Sequence, residues 1–343
     1  LIKTQSLGSV LLAVGISILT GCATQQRDSV RVELGETRVA MVEGMLTPVF
    51  NFRPTTAALD TTDGPKVTDL RQLTSNTERS GQYSRPSLSP NQDAMVYVEF
   101  IGGNSGVYRQ SLGSQAKSPI AADGGINLSP TFTPDGRFLV FSSDRSGESQ
   151  SLWRKRADGA GGITQITRSN SFDWQPSVAA DGETIVFQSH RRNNLDPSVW
   201  SINMNGGLLT QLTSGRSPSV SPDGRRVVFV RPGVQSGKDQ IWSMQIDGSG
   251  LTQLSTGNAN DRDPSWHPSG RYIIFSSDQS GPTDDFPDFN IWLMRSDGTQ
   301  RVQITENFSH DDAPAFEHRG RTVVFRSNRG GQWNLFSFVP KLQ

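Results

Sequence analysis

The 343-residue chain carries 33 Lys and Arg against 33 Asp and Glu, and no basic stripe with interleaved aromatics. Binding to a phosphate backbone draws on surplus positive charge, so nucleic acid is not an expected partner. The single cysteine excludes an intramolecular disulfide, and an apolar share of 34% favours many small packed layers over one large central core.

Residues 1–21 have a basic start at Lys3, an apolar run from about Leu7 to Leu19 and small residues before Cys22, the layout of a secretory signal. The run is shorter than the roughly 20 residues a membrane span needs. Leu19-Thr20-Gly21-Cys22 resembles the lipobox of bacterial lipoprotein signals. That resemblance implies a diacylglyceryl group and usually a third acyl chain on Cys22. At about 0.8 kcal/mol per buried methylene, two or more chains make a stable anchor. Ala23 stands where Asp tends to retain such proteins in the inner membrane, so the resemblance implies an outer-membrane anchor facing the periplasm. Residues 22–65 are rich in Gln, Thr, Asp, Pro and Gly and read as a tether, with strand-like alternation over Val30–Leu34.

From residue 66 to 343 one sentence is repeated six times. Its prolines are Pro86, Pro130, Pro176, Pro218, Pro264 and Pro314, spaced by 44, 46, 42, 46 and 50 residues, the length of a propeller blade. Each copy reads as four short strands. A small-residue strand follows the proline, and an apolar strand then ends in Tyr97, Phe141, Phe187, Phe229, Phe275 or Phe325. A third strand is centred on Tyr108, Trp153, Trp200, Trp242, Trp292 or Phe336, and a last one reads Gln-Leu-Thr or similar. Pro-Asp-Gly between the first two strands (Pro134–Gly136, Pro222–Gly224) is a turn signal, because proline presets one dihedral and glycine accepts a positive φ. The sixth copy lacks its fourth strand, whereas Arg71-Gln72-Leu73-Thr74 stands ahead of the first copy without a blade. The expected fold is therefore an all-β, six-bladed propeller of four-stranded blades, closed by the N-terminal strand at about 67–74 joining the last blade.

Pro218-Ser219-Val220-Ser221-Pro222-Asp223-Gly224-Arg225-Arg226-Val227-Val228-Phe229, followed by Ile241-Trp242-Ser243-Met244 and Asp247-Gly248, resembles the TolB-type, WD-like propeller repeat over about four fifths of the chain. The resemblance implies a non-enzymatic protein-binding or scaffold module of the cell envelope. Its partner class is an envelope protein or a peptidoglycan-associated lipoprotein, and its contact with the membrane is made through the lipid anchor. TolB has an α/β domain before its propeller and is not normally lipidated. The roughly 45 residues between Cys22 and the repeats leave no room for such a domain, so the chain reads as a stand-alone lipoprotein relative.

The loops entering the first strand of each blade carry the variation between copies, and a partner is expected there. Their residues are Arg79, Arg85, Asp173, Trp174, Arg216, Asp261, Arg262, Asp263, His310, Asp311 and Asp312. Trp174 reads either as an exposed interface anchor or as packing over the neighbouring blade. Asp311-Asp312 and Arg191-Arg192 read as solvated loop charges. Two phenylalanines, Phe286 and Phe289, stand in a long loop of the fifth copy and are expected to plug onto the domain's own surface.

Neither a Gly-x-Ser-x-Gly elbow nor His-Glu-x-x-His occurs. The same repeat occurs in oligogalacturonate lyases, which use clustered histidines around a divalent ion. The alternative reading is accordingly a metal-dependent oligosaccharide lyase or carbohydrate-binding propeller, with His267 and His310 approaching each other at the channel mouth. His190 and His318 fall in other parts of their copies, so no metal site and no cofactor is expected. Asn258, Asn260, Asp261 and Asp263 offer oxygen ligands for a calcium ion without the spacing of a known calcium loop.

Overall fold

In the computed structural model, the described residues are the backbone of 39–42 and 45–48, then 66–75, 86–91, 94–101, 103–112, 116–147, 149–168, 171–191, 196–279, 288–307 and 309–341. The strands β1 (Val39–Val42) and β2 (Met45–Pro48) form a two-stranded sheet of their own within the segment expected as a tether.

The remaining strands make six four-stranded antiparallel sheets, one per repeat. Blade 1 is β4 (Ser87–Leu88), β5 (Ala94–Ile101), β6 (Asn104–Ser111) and β7 (Lys117–Ala121). Blade 2 is β8 (Asn127–Phe132), β9 (Phe138–Ser143), β10 (Ser151–Arg156) and β11 (Thr164–Gln165). Blade 3 is β12 (Asp173–Val178), β13 (Thr184–Ser189), β14 (Ser198–Asn203) and β15 (Thr210–Ser214). Blade 4 is β16 (Arg216–Val220), β17 (Arg226–Pro232), β18 (Asp239–Gln245) and β19 (Thr252–Gln253). Blade 5 is β20 (Asp261–Trp266), β21 (Tyr272–Ser277), β22 (Asn290–Arg295) and β23 (Val302–Gln303). Blade 6 is β24 (Asp311–Phe316), β25 (Val323–Ser327) and β26 (Asn334–Pro340), and its fourth strand is β3 (Val67–Gln72).

The ring thus closes as expected: β3 pairs antiparallel with β26, Gln72 opposite Phe336 and Val67 opposite Pro340. Thr74 extends the seam by donating from its hydroxyl to Asn334 at 3.1 Å and accepting the Leu335 N–H at 2.9 Å. First strands touch in order around the ring, and β24 returns to β4. The second-strand aromatics Tyr97, Phe141, Phe187, Phe229, Phe275 and Phe325 are fully buried. Each apolar cluster is shared between neighbours. Val228 and Ile241 of blade 4 pack with Trp266, Phe275 and Trp292 of blade 5, and Met95 and Tyr97 of blade 1 pack with Leu335 of blade 6.

The first strands differ from expectation in where they begin. In blade 1 the strand follows Pro86 as expected, whereas in blades 2 to 6 it contains the proline, because the residue before that proline is a left-handed bulge. Ser129, Gln175, Ser217, Asp263 and Ala313 have φ between 48° and 52°. The pairing register slips at the same point in all five blades. A non-glycine residue in this region is unfavourable by itself, yet the bulge re-aims the two residues before it and so builds the site below.

Candidate functional site

Two rows of side chains follow from the bulge. The outermost row is Asn127, Asp173, Gly215, Asp261 and Asp311, and the next is Leu128, Trp174, Arg216, Arg262 and Asp312. Contrary to expectation, these are strand or strand-edge residues with packing duties, and Asp173, Asp261 and Asp311 are all 0% exposed.

Each buried acid of the outermost row holds one guanidinium. Asp173 accepts from Arg191 at 2.5 Å and from the Ser189 hydroxyl at 2.6 Å. Asp311 accepts from Arg329 through both oxygens, at 3.1 and 2.8 Å. The guanidinium then lies over the aromatics of the second and third strands, Arg191 on Phe187 and Trp200, Arg329 on Phe325 and Phe336. In blade 2 the partner is Asn127, to which Arg145 donates at 2.9 Å.

Blade 5 has Gln279 where an arginine would continue this pattern, and Arg301 takes over from beside β23. Arg301 donates to Asp261 at 2.9 and 2.5 Å and to the Ser277 hydroxyl at 2.8 Å, and it stacks on Phe275 and Trp292. Burial raises the Asp261 carboxyl above the ordinary carboxylate range, and the Arg301 charge offsets part of that. In blade 4 the acid is missing, while a guanidinium, that of Arg231, still lies over the Trp242 ring at 4.7 Å. Gly215 takes the acid's place, where a Cβ would meet the Phe229 ring at 2.7 Å. Where the acid is kept its guanidinium must be kept too, since an unpaired buried carboxylate is strongly destabilising.

The second row forms a continuous arc over blades 4 to 6. Arg216 and Arg262 share the Asp239 carboxylate. Arg262, its side chain 45% exposed, lies over the Phe289 ring at 5.2 Å. Phe289 packs against His310 at 5.0 Å, and His310 against Trp333 at 5.2 Å. His310 Nε2 is 3.2 Å from Asp312 Oδ2, and Arg326 pairs with the same carboxylate while stacking on Trp333 at 4.5 Å. Burial alone would raise the Asp312 carboxyl. The Arg326 charge, with hydrogen bonds from Arg326 and His310, outweighs burial and holds the carboxyl well below the usual range. Planar cations, an imidazole and an indole thus overlie the deeply buried carboxylates Asp239 and Asp312. Such a surface suits donation to carboxylates and backbone carbonyls of a partner.

Other expected site residues are placed differently. Trp174 is 3% exposed, within the core cluster shared with Phe141 and Trp153, which answers its two readings in favour of packing. Asp311 and Asp312 are buried in ion pairs and are not solvated loop charges. Arg191 is likewise engaged with Asp173. Asp263 is one of the left-handed bulge residues. Cys22, Arg79, Arg85, Arg192 and Phe286 lie outside the described residues, whereas Phe289 does plug onto the domain's own surface.

The two histidines proposed to converge do not. His267 follows β20 and packs on Phe316 at 4.6 Å, whereas His310 precedes β24, so the length of that strand lies between them. Among the described residues no group of three or more His, Cys, Asp or Glu is arranged to hold a metal ion. Asn260 binds Asp278 and the Asp239 N–H, and the Asp261 oxygens face Arg301. Sequence reasoning missed Arg326, Arg329 and Arg301. For Arg329 a signal existed: Ser143/Arg145, Ser189/Arg191 and Ser327/Arg329 share one spacing.

Fold and site together define a six-bladed β-propeller with an arc of stacked cations and aromatics at the strand-start end of the ring. No family model matches the chain. Over 125 residues (35% of this chain, 42% of the relative) it is 31% identical to the uncharacterized protein Atu1656 of Agrobacterium fabrum. Over 122 residues (36% and 27%) it is 32% identical to the Tol-Pal system protein TolB of Bordetella pertussis. The matched segments therefore span less than half of either relative. Among solved structures, TolB from Acinetobacter baumannii superposes with a TM-score of 0.59 at 19% identity, covering 71% of this chain and 58% of that one. The oligogalacturonate lyase of Vibrio parahaemolyticus superposes at 0.55 and 12% identity, covering 79% and 94%. The chain has the six-bladed propeller fold, and part of its repeat region is similar in sequence to TolB.

Proposed function

We propose that this chain is a TolB-like, non-enzymatic docking module of the bacterial cell envelope, held to the outer membrane by lipid on Cys22 and facing the periplasm. Its partner is an envelope protein of the peptidoglycan-associated lipoprotein class, engaged through the arc over blades 4 to 6. The observation that carries the reading is the unbroken chain of contacts from Arg216 through Arg262, Phe289, His310 and Trp333 to Arg326. Arginine and tryptophan over a desolvated base are the side chains that dominate protein interfaces.

The test is calorimetric titration of the protein with the soluble domain of the host's peptidoglycan-associated lipoprotein. Arg262→Ala and Trp333→Ala are each expected to weaken binding by about 2 kcal/mol, roughly thirty-fold in Kd. Arg168→Ala, outside the arc, is expected to leave it unchanged. No binding by the parent protein overturns the partner class, and equal loss in all three variants overturns the site. Metabolic labelling with a fatty acid, lost in Cys22→Ser, tests the anchor separately.

A further inference from the structure

The end of the ring opposite the arc carries a second surface. Strands alternate in direction within every blade, so the first-to-second and third-to-fourth turns share one end. Neighbouring turns meet there. A Cβ on Gly136 would lie 3.3 Å from Pro90 and one on Gly224 3.3 Å from Ala180, and His267 Nε2 is 3.2 Å from the Gly320 carbonyl.

Three independent features coincide on this end. The first is charge. On blades 4 to 6 this end carries Arg225, Arg226 at the start of β17, Arg271, Arg319 and Arg321 with Arg295 at the end of β22, against Asp223 and Glu317 of the first-to-second turns and Asp247 and Asp297 of the third-to-fourth turns, six cations to four carboxylates. Asp223 accepts from the Ser221 hydroxyl and the Arg225 N–H, and Glu317 from the Arg321 N–H. Arg225, Arg271, Arg319 and Arg321 are exposed, and none of the ion pairs among the described residues uses them.

The second feature is apolar. Among the described residues seven large hydrophobics are exposed, and five of them, Leu112, Leu208, Leu209, Leu251 and Val302, sit in or beside third-to-fourth turns. Leu208 is 81% exposed at φ +56°, in a turn position where blades 2 and 4 use Gly161 and Gly250. A leucine there is unfavourable both in backbone conformation and in hydration. Nothing in the fold calls for it.

The third feature is the direction of the chain. Val67, the first residue of β3, pairs with Pro340, the last of β26, and the Lys341 N–H donates to the Lys66 carbonyl at 2.8 Å. The segment that leads from Cys22 therefore joins the propeller at this same end.

From this coincidence we propose that the turn end of the propeller lies on an anionic phospholipid bilayer. The arginines face the headgroups, and Leu208, Leu209 and Leu251 dip into the interface. The inference rests on the lipid-anchored reading only for the direction of the tether, since charge and exposed leucines stand without it. The opposite end, with the arc, is then presented away from the membrane.

Vesicle flotation of the full chain carrying Cys22→Ser tests this without any acyl group, so failure of lipidation and failure of this surface are read separately. Vesicles of phosphatidylcholine alone set the baseline for the apolar run near the start of the chain. Vesicles containing phosphatidylglycerol are expected to bind at least about ten-fold more tightly, an advantage that 0.5 M salt removes. The set Arg225→Glu, Arg271→Glu, Arg321→Glu is expected to abolish the preference. Arg168→Glu with Lys238→Glu, at the other end, is expected to keep it. Leu208→Gly is expected to bind more weakly while unfolding at higher denaturant, which a purely structural residue would not do. Equal binding to both vesicle types, or a preference that survives the triple reversal in protein shown by circular dichroism to be folded, overturns the proposal.

Discussion

The Asp311–Arg329 pair offers the sharpest test of how the blades are held. Arg329→Met keeps an unbranched chain over Phe325 and Phe336 but leaves the fully buried Asp311 without the guanidinium that meets both its oxygens. Removing one partner of a buried pair costs about 3–5 kcal/mol, and losing the stacked cation adds roughly 0.5–2 kcal/mol. The double variant Asp311→Asn, Arg329→Met removes both charges of the pair. It is expected to recover at least about 2 kcal/mol of that loss, a coupling well outside additivity. Urea unfolding followed by tryptophan fluorescence, with circular dichroism as the second probe, measures the cycle. A single variant costing under about 1 kcal/mol, or a double variant no more stable than the single, would refute the reasoning that the buried acid depends on its guanidinium.

Three further outcomes are expected. Gly298→Ala places a Cβ 2.4 Å from the Leu254 carbonyl at φ +86°, so blades 4 and 5 must part. Stability is expected to fall by more than the roughly 1 kcal/mol of an ordinary glycine change, read by the same urea titration. His267 has its pKa lowered below the usual 6.5 by burial, with the Gly320 hydrogen bond and the Glu317 charge opposing. The folded state thus takes up fewer protons than the unfolded, and stability is lost as pH falls below 6.5. His267→Ser, the residue type of Ser221 at the same place in blade 4, is expected to flatten melting temperature against pH in that window. Asp312 is held well below its ordinary pKa, so its contribution is complete above about pH 4 and fades on further acidification. Asp312→Asn is expected to reduce the slope of stability against pH below 4, measured by thermal unfolding from pH 5 to 2.5.

Blade number, turn positions and ring closure were legible because they depend on local chemistry repeated at a fixed interval. Pro134-Asp135-Gly136 dictates its turn wherever it falls, and a strand without a blade must find a blade without a strand. The bulge was not legible. Ser129, Gln175, Ser217, Asp263 and Ala313 are of four different residue types, and the left-handed conformation is imposed by the ladder on either side. For the same reason the prolines of blades 2 to 6 were read as strand openers when they lie inside the strands. Ion pairs escaped for another cause. Long side chains reach across elements, so Arg301 serves Asp261 from 40 residues away, while the repeat pattern points at position 279. Trp174 gave no local sign of its burial either, since what covers it belongs to the neighbouring blade.

The seam between β3 and β26 joins segments some 260 residues apart. During synthesis the N-terminal partner emerges first and waits, edge unpaired, until the last strand is delivered. Completion of the ring is thereby coupled to delivery of β26, and a product terminated before it lacks the strand its own beginning requires. A permuted gene that fuses the two ends and opens the ring at the Gly233–Lys238 hairpin would move the waiting edge elsewhere without altering the finished circle.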